Sequence, residues 1–271
     1  MLILTCENYF SPEAMREYMS SSQFKAFSSC SAAAMAELEG RYSPAGKDCF
    51  TEGHMFEALV CGSEELFYMQ HPDIISTRGA SKGNPKSNYI RIIESAEAMK
   101  RQKSMMDIIA RCDKQVIVTG VINGVPYKGC IDLFDPETAD CWDTKCVKDF
   151  AGIYSPDEGR RLEWWEYYGY HRQAAIYREL CRQSFGRAGR FGLMAATKEP
   201  VPDVDWLQFD DSILDCAYDM VYELSPMYQA MKCGIVDTEP CGACSYCKSV
   251  KLLFEPRLIS QYETIGEHTD A

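Results

Sequence analysis

The stretch from residue 115 to residue 145 constrains the fold of this 271-residue chain more than any other part of its sequence. Residues 115–122 are apolar and β-branched, and Asn123-Gly124 then forms a strong two-residue hairpin signal. Further strands are predicted over residues 125–134 and 139–145, with a polar turn between them. Three consecutive strands joined by short turns predict an antiparallel meander.

Segments with helical periodicity surround this meander on both sides in the sequence. Apolar residues at helical spacing predict helices over residues 23–39, 53–61, 89–112, 161–183 and 212–232, and a fourth strand is predicted over 191–197. This order of elements is typical of an α/β (α+β) fold in which helices cover a mixed sheet. Because no long linker interrupts it, we predict a single domain over residues 1–271, with an N-terminal helical segment and a C-terminal cysteine motif at 241–247.

The charge balance excludes one class of nucleic-acid-binding protein. Lys and Arg number 28 against 40 Asp and Glu, which gives a formal net charge of −12. A protein that coats DNA would carry a basic balance, whereas an enzyme with a local basic groove is compatible with this charge. The most apolar stretches are far shorter than the ~20 residues of a membrane span, and the N-terminus lacks the basic segment of a signal peptide. We therefore expect a cytoplasmic protein without a membrane partner.

Asp132, Asp143 and Lys145 form the pattern that points most directly to chemistry. Adjacent antiparallel strands can bring both carboxylates to one end of the sheet, where they repel each other unless a cation lies between them. Oxygen ligands favour a hard ion such as Mg²⁺ or Mn²⁺. Lys145 shares a strand face with Asp143, so its ammonium can position an attacking water and offset phosphate charge, as metal-assisted phosphodiester hydrolysis requires. A D-x-K tripeptide also arises by chance on solvated strand edges, and only its context favours catalysis.

Three short motifs in this order resemble the PD-(D/E)XK nuclease superfamily, and in particular its RecB/RecE-like phage exonuclease branch. The motifs are G-x-x-D at residues 129–132, D-x-K at 143–145 and Q-x-x-x-Y at 173–177. The resemblance extends to the segment 18–30 and to the C-terminal cysteines, and so covers most of the chain. It implies the nuclease core of that superfamily, a mixed central sheet with an antiparallel meander flanked by helices.

The resemblance also implies roles for individual side chains. Asp132, Asp143 and Glu57 would ligate Mg²⁺ together with the carbonyl of Thr144, and Lys145 would orient the water. Many relatives place a histidine where this chain has Glu57, and a carboxylate can replace imidazole around Mg²⁺.

Gln173 and Tyr177 would support the active site from one face of the following helix. They would hold the scissile strand or the Lys145 ammonium by hydrogen bonds, although core packing explains Tyr177 equally well. His54 shares a helix face with Glu57, and we interpret it as an ordinary, partly exposed histidine rather than a ligand.

For the whole protein, the resemblance implies a Mg²⁺-dependent exonuclease that acts on the ends of linear double-stranded DNA. Such an enzyme works in phage-type recombination beside a single-strand annealing protein, often as a homo-oligomeric ring, in the cytoplasm of a bacterial host. Two alternatives stay open: a single-strand nuclease of the CRISPR-adaptation type, and an inactive DNA-binding or scaffold protein that has kept the fold. The candidate DNA-binding residues are basic side chains that can also be solvated surface charges, namely Lys82, Lys86, Arg172 and Arg182.

The fourteen cysteines include one dense group, Cys241-x-x-Cys244-x-x-Cys247. This spacing matches three ligands of a [4Fe–4S] cluster, and Zn²⁺ also binds thiolates at C-x-x-C spacing. Either Cys30 or Cys233 could supply the fourth thiolate. Cys30 lies where iron–sulfur members of the nuclease superfamily carry a lone N-terminal cysteine, whereas Cys233 would complete a local knuckle of the kind that zinc favours. We expect a structural cluster with Cys30 as its fourth ligand.

Overall fold

The computed structural model describes residues 2–43, 47–79, 81–156, 158–253 and 256. Within these ranges a five-stranded sheet lies between two layers of helices. The strands are β1 (Asp113–Ile122), β2 (Val125–Phe134), β3 (Cys141–Val147), β4 (Ile153–Ser155), β5 (Arg160–Leu162), β6 (Phe191–Thr197) and β7 (Val204–Gln208). The helices are α1 (Pro12–Glu17), α2 (Ser21–Leu38), α3 (Lys47–Cys61), α4 (Glu64–Gln70), α5 (Ile90–Lys100), α6 (Lys103–Arg111), α7 (Trp164–Tyr167), α8 (Tyr170–Phe185), α9 (Asp211–Lys232) and α10 (Ser245–Ser249).

The large sheet has the strand order β1-β2-β3-β6-β7. Its first three strands form the antiparallel meander that the sequence predicts, and the turn between β1 and β2 places Asn123 and Gly124 at φ values of 45° and 78°. These left-handed values are the ones that a two-residue hairpin turn requires. β6 lies parallel to β3 because α8 carries the chain back between them, and β7 pairs antiparallel with β6 at the edge. The predicted mixed sheet flanked by helices is therefore confirmed.

β2 and β3 pair only briefly before they diverge. Leu133 pairs with Trp142, and Phe134 pairs with Cys141. No further pair follows beyond Leu133 on the side of Asp132. In that gap the carboxylate of Asp132 accepts a hydrogen bond from the backbone N–H of Thr144 at 3.2 Å. The side chain thus takes the place of a ladder partner for β3, and Asp132 lies at the point where the sheet opens.

Each face of the sheet is covered by its own layer of apolar side chains. On one face α2, α8 and α9 pack through residues that include Phe24, Leu180 and Val221. On the other face α3 and α5 pack through residues that include Phe56 and Ile92. Fully burying one such side chain stabilises a fold by about 1.5–3 kcal/mol. These two layers therefore fix the helices that approach the open edge between β2 and β3.

α9 is the longest helix in the described ranges and contains Pro226. Because proline lacks an N–H, the Tyr222 carbonyl has no helical partner, and the side-chain amide of Asn123 donates to it instead at 2.9 Å. The hairpin turn is thereby joined to the helix. Neither α9 nor any other helix in this part of the chain is both long and apolar enough to cross a lipid bilayer.

Two predicted helices are wrong in extent. Residues 89–112 form two helices, α5 and α6, because Gln102 adopts φ −85° and ψ 85°, outside the helical region. Residues 161–183 also divide, because β5 and α7 precede Gly169, whose φ of 74° separates α7 from α8. In both cases the apolar spacing continues on either side of the break and does not reveal it.

Gly192 on β6 leaves no room for a side chain. A Cβ atom there would lie 2.1 Å from the Leu207 carbonyl oxygen and 2.6 Å from the Trp142 ring. We expect Gly192→Ala to lower the free energy of unfolding by about 1–3 kcal/mol, because the pairing of β6 with β7 must shift to admit the methyl group. Gly53→Ala is the matched control: a Cβ there meets nothing within 4 Å. That change should stabilise α3 by about 0.5–1 kcal/mol.

Urea unfolding of the wild type and the two variants measures both effects. Equal midpoints for Gly192→Ala and Gly53→Ala would contradict the close approach of β7 and Trp142 to Gly192.

Candidate active site and cysteine site

Three carboxylates and one ammonium come together where β2 and β3 diverge. Asp132 lies on β2, Asp143 lies on β3, and Glu57 reaches the same place from α3. Lys145 follows Asp143 by two residues on the same strand face, and its Nζ forms an ion pair with Asp143 Oδ2. His54, also on α3, is exposed. The structure thus brings together the carboxylates and the lysine that the sequence predicts for the active site, without His54.

Lys145 is held from two sides. Asp143 forms the ion pair, and the ring of Tyr170 lies with its centroid 5.1 Å from Nζ, within the range of a cation–π contact. Burial lowers the pKa of Lys145, but the charges of Asp143 and Asp132 outweigh burial and the net shift is upward. The amine therefore stays protonated at neutral pH, where it is a charge and a hydrogen-bond donor rather than a base.

Gln115 is a member of the site that the sequence did not predict. Its side-chain amide donates to Glu57 Oε1 and approaches Asp132 Oδ1 at 3.5 Å, so it links α3 to β2. Its carbonyl oxygen accepts from the Cys130 thiol at 3.0 Å. Gln115 has a φ of 54°, an uncommon value that turns the β1 backbone at this point. A single glutamine at the start of a strand carries no local signal of such a contact.

The charges of the site do not balance. Burial, followed by the charge of Asp143, raises the pKa of Asp132 well above its ordinary value, and burial also raises the pKa of Glu57. Three carboxylates against one ammonium leave negative charge that a divalent cation would offset. The donor set consists of oxygens, which fits Mg²⁺ or Mn²⁺. Thr144 adds a buried hydroxyl oxygen that has no hydrogen-bond partner among the described residues.

The two predicted residues of α8 contact the site in different ways. Gln173 Nε2 donates to Asp143 Oδ1 at 3.4 Å. Tyr177 lies against Gly129 of β2, where a Cβ would come within 2.7 Å of its ring. The glycine of the G-x-x-D motif therefore permits α8 to approach β2 closely. Burial raises the pKa of Tyr177, so its hydroxyl is protonated at neutral pH.

The four residues predicted to contact DNA lie in different places. Arg172 occupies the first turn of α8, next in sequence to Gln173. Arg182 lies near the other end of that helix and forms an ion pair with Glu179 at 4.0 Å. Lys82 and Lys86 are exposed in the loop before α5. Within the described ranges, no hydrogen bond or ion pair connects Lys82, Lys86 or Arg182 to the candidate carboxylates.

All four predicted cysteine ligands converge. The sulfur atoms of Cys30, Cys241, Cys244 and Cys247 lie within 4.8 Å of one another, an arrangement that could hold a metal ion. The sulfurs of Cys30 and Cys247 are 3.6 Å apart, and those of Cys241 and Cys247 are 3.9 Å apart. Cys233 is exposed, and its sulfur contacts a side chain of its own helix instead. The structure therefore places Cys30, and not Cys233, with the C-terminal group.

Cys30 reaches this group because α2 is interrupted at that residue. Its φ of −164° and ψ of 100° are extended values inside an otherwise helical segment. The next residue, Ser31, accepts a hydrogen bond from the Glu239 N–H at 2.8 Å and donates to the Glu239 carbonyl at 3.2 Å. Ala32 N–H donates to the same carbonyl at 3.2 Å. These bonds fasten the C-terminal segment to the interruption in α2.

The backbone around the cysteines stabilises thiolates. The N–H groups of Cys241, Cys244 and Cys247 each donate to a sulfur of the group at 3.4 Å. The bond from Cys244, with weaker help from its neighbours, lowers the pKa of Cys241 to about 6, whereas burial raises the pKa of Cys247 to about 12. Hydrogen bonds to sulfur favour the charged form, which is the form that binds metal.

The unbalanced charge has a consequence for stability. We expect Asp132→Asn to raise the melting temperature of the metal-free protein at neutral pH, by about 2–4 °C for each kcal/mol of repulsion removed. The pKa of Asp132 is higher in the folded protein than in the unfolded chain. As the pH falls through the folded-state pKa, Asp132 of the wild type takes up a proton, the repulsion disappears and the wild type becomes more stable. The difference between the two proteins should therefore shrink in acid.

Thermal unfolding in a chelator over a series of pH values measures this difference. The exposed Asp219 supplies the control, Asp219→Asn. A lower melting temperature for Asp132→Asn than for the wild type at neutral pH would contradict the excess of negative charge.

Comparisons with known proteins identify the family. Residues 20–250 match the sequence profile of a family described as a PDDEXK-like domain of unknown function (DUF3799). A crystal structure of a protein from Eubacterium rectale, assigned provisionally as an exonuclease, has a TM-score of 0.86 and 30% sequence identity over 96% of this chain and 97% of that one. A second solved structure, that of SSO0001, has a TM-score of 0.33 and 14% identity over 71% of this chain and 81% of its own, a likeness too weak to carry an argument. No curated protein matches the chain.

The family match spans most of the chain, and the structural match to the Eubacterium rectale protein spans nearly all of it. The chain therefore belongs to the family of PDDEXK-like domains (DUF3799), within the PD-(D/E)XK nuclease superfamily.

Proposed function

We propose that this protein is a metal-dependent exodeoxyribonuclease. The observation that carries the proposal is the meeting of Asp132, Asp143, Lys145 and Glu57 at the opening between β2 and β3. An inactive descendant kept only as a scaffold would have no need to hold three carboxylates close together against their repulsion. The geometry therefore favours an enzyme over a DNA-binding or scaffold protein.

Glu57, Asp132 and Asp143 would hold Mg²⁺ or Mn²⁺, with the Thr144 carbonyl as a further oxygen ligand. The bound ion would supply an activated water and offset the charge of the phosphate. Lys145, protonated and anchored by Asp143 and Tyr170, donates a hydrogen bond that orients the attacking water. The remaining support comes from α8, where Gln173 holds Asp143 and Tyr177 packs against β2.

The substrate that we propose is linear double-stranded DNA, degraded from its ends. The similarity to the Eubacterium rectale protein, assigned provisionally as an exonuclease, supports cleavage from ends. The RecE-like pattern of the motifs supports a role in phage-type recombination in a bacterial cytoplasm, beside a single-strand annealing protein and as a homo-oligomer. A single-strand nuclease of the CRISPR-adaptation type is the alternative, which the C-terminal cysteines also suit.

We expect Asp143→Asn and Lys145→Gln each to reduce Mg²⁺-dependent DNA cleavage by at least about 100-fold, since each removes a charge worth several kcal/mol in the transition state. Asp219→Asn and Lys103→Gln change exposed residues of the same types and should cleave as the wild type does. The assay follows end-labelled linear duplex, single strands and closed circular duplex, with and without Mg²⁺. Unaltered cleavage by both active-site variants would refute the assignment.

The substrates in the same assay separate the candidate activities. Loss of linear duplex with survival of the closed circle supports the exonuclease. Faster loss of the single strand than of the duplex would favour the alternative nuclease, and cleavage of the closed circle would contradict action from ends.

For the cysteine site, we propose zinc in place of the iron–sulfur cluster expected from the sequence, and the sulfur separations support this choice. A tetrahedral zinc ion with Zn–S bonds of about 2.3 Å places its sulfurs about 3.8 Å apart. Two sulfur pairs lie 3.6 and 3.9 Å apart, and all four sulfurs lie within 4.8 Å of one another, which is close to that spacing. In a [4Fe–4S] cluster each thiolate binds a different iron atom, which spreads the sulfurs farther apart. We therefore propose a structural zinc ion held by Cys30, Cys241, Cys244 and Cys247.

We expect the protein purified without oxygen to be colourless and to contain one zinc ion per chain. Cys30→Ala should lose the metal and melt at a lower temperature, because metal binding stabilises only the folded chain. Cys233→Ala, the matched control, should keep both metal and stability, because Cys233 lies outside the group. Metal analysis and thermal unfolding provide the two measurements. A brown preparation with four iron atoms per chain would establish the cluster instead of zinc.

A further inference from the structure

Two basic side chains outside the carboxylate site converge on the turn that begins α8. Lys25 of α2 donates from Nζ to the Tyr168 carbonyl at 2.8 Å, and its Nζ lies 5.7 Å from the centroid of the Tyr168 ring. The guanidinium of Arg172 folds back over Gly169, so closely that a Cβ on that glycine would lie 2.8 Å from Nη2. The two cations therefore approach the same turn from two different helices.

Among the described residues, neither cation has an acidic partner in an ion pair. Within the described ranges no carboxylate forms an ion pair with Lys25 or Arg172, although the chain has an excess of 12 acidic charges. The charge of Glu158, in the β4–β5 turn, attracts Arg172 electrostatically. Glu158 itself, however, forms an ion pair with Arg160 at 2.8 Å. By contrast, several other arginines each pair with a carboxylate, among them Arg111, Arg160, Arg178 and Arg190.

The two cations also repel each other and the active-site lysine. Burial, followed by the charges of Arg172 and Lys145, lowers the pKa of Lys25. Like charges brought together without a counter-ion are destabilising unless an anion binds between them. Gly169, the N-cap of α8, offers no side chain to cap this 16-residue helix, and the positive end of the helix dipole lies at the same turn. The two cations and the first turn of α8 therefore form a site whose charge favours the binding of an anion.

The position of these cations relates them to the proposed reaction. The rings of Tyr168 and Tyr170 have centroids 5.8 Å apart, and Tyr170 is the ring that lies against Lys145. A continuous path of contacts therefore leads from Lys25 to the lysine that orients the water. An anion bound by Lys25 and Arg172 would therefore lie on the side of the candidate site from which Tyr170 contacts Lys145.

We propose that Lys25, Arg172 and the first turn of α8 form a binding site for a phosphate group of the DNA strand that enters the active site. The inference rests on the proposed nuclease function and deepens it. The phosphate is either an internal phosphodiester or the terminal phosphate of a DNA end, since both offer the same oxygens to a lysine and an arginine. Lys25 is a substrate-binding residue that the motifs do not include.

The test measures DNA binding without cleavage. Wild type, Lys25→Gln, Arg172→Gln and the double variant are titrated with fluorescent linear duplex in Ca²⁺ over a series of salt concentrations. One duplex carries 5′-phosphates and the other 5′-hydroxyls. Lys103→Gln is the control, because this exposed lysine lies on α6, on the opposite face of the sheet. Circular dichroism and thermal unfolding verify that each variant is folded.

Each single variant should bind DNA about tenfold more weakly, and its slope of log affinity against log salt should be smaller by about 1. Lys25→Arg and Arg172→Lys should restore part of the affinity. An equal loss with both duplexes supports an internal phosphate, and a loss confined to the phosphorylated duplex supports a terminal one.

A double variant that binds both duplexes with the affinity and salt slope of Lys103→Gln overturns the inference, and it leaves the nuclease proposal intact if the wild type cleaves DNA. A wild type that neither binds nor cleaves DNA overturns both.

Discussion

Repulsion between buried like charges is the constraint on which the rest of the candidate site depends. Asp132 and Asp143 lie on neighbouring strands, and a pair of facing carboxylates would disrupt an ordinary ladder. The ladder therefore opens at this point, and neutral donors bind the carboxylates: the Thr144 N–H binds Asp132, and Gln173 binds Asp143. Among the described residues, Lys145 supplies the single positive charge in direct contact with these carboxylates. Because these groups come from strands and from α8, the packing of α8 on the sheet determines whether the carboxylates stay close.

Much of the fold could be predicted from local patterns, and the errors arise where long-range contacts decide the structure. The Asn123-Gly124 turn and the β-branched residues before it are local signals, and they predict the hairpin correctly. β7 was not predicted, because a five-residue edge strand with a charged residue within it shows little periodicity and forms by pairing with β6. The break at Gly169 was also missed, since glycine in a helical pattern does not by itself show a left-handed conformation.

The residues of the candidate site also divide into those that local patterns predict and those that only tertiary contacts bring together. Asp143 and Lys145 could be paired from their spacing on a strand, because strand geometry is regular. Glu57 was assigned through family resemblance alone, since the contact between α3 and the sheet is tertiary. Gln115 and Lys25 were not predicted, because a single polar side chain far away in sequence carries no pattern. Among the cysteines, the spacing predicted the C-terminal three and the family resemblance assigned Cys30, while the interrupted helix explains how Cys30 reaches them from α2.

The contact between Cys30 and the C-terminal cysteines has a consequence for how the protein is made. Cys30 and Cys247 are separated by 217 positions, and the bonds from Ser31 to Glu239 span a similar stretch of chain. During synthesis, α2 leaves the ribosome early, but its contact with the C-terminal cysteines cannot form until residue 247 has followed it. Lys25 lies on that same helix, so this side of the candidate site is completed last. A translating ribosome would thus carry a nascent chain in which β2 and β3 are already present but the interruption in α2 is not yet fastened.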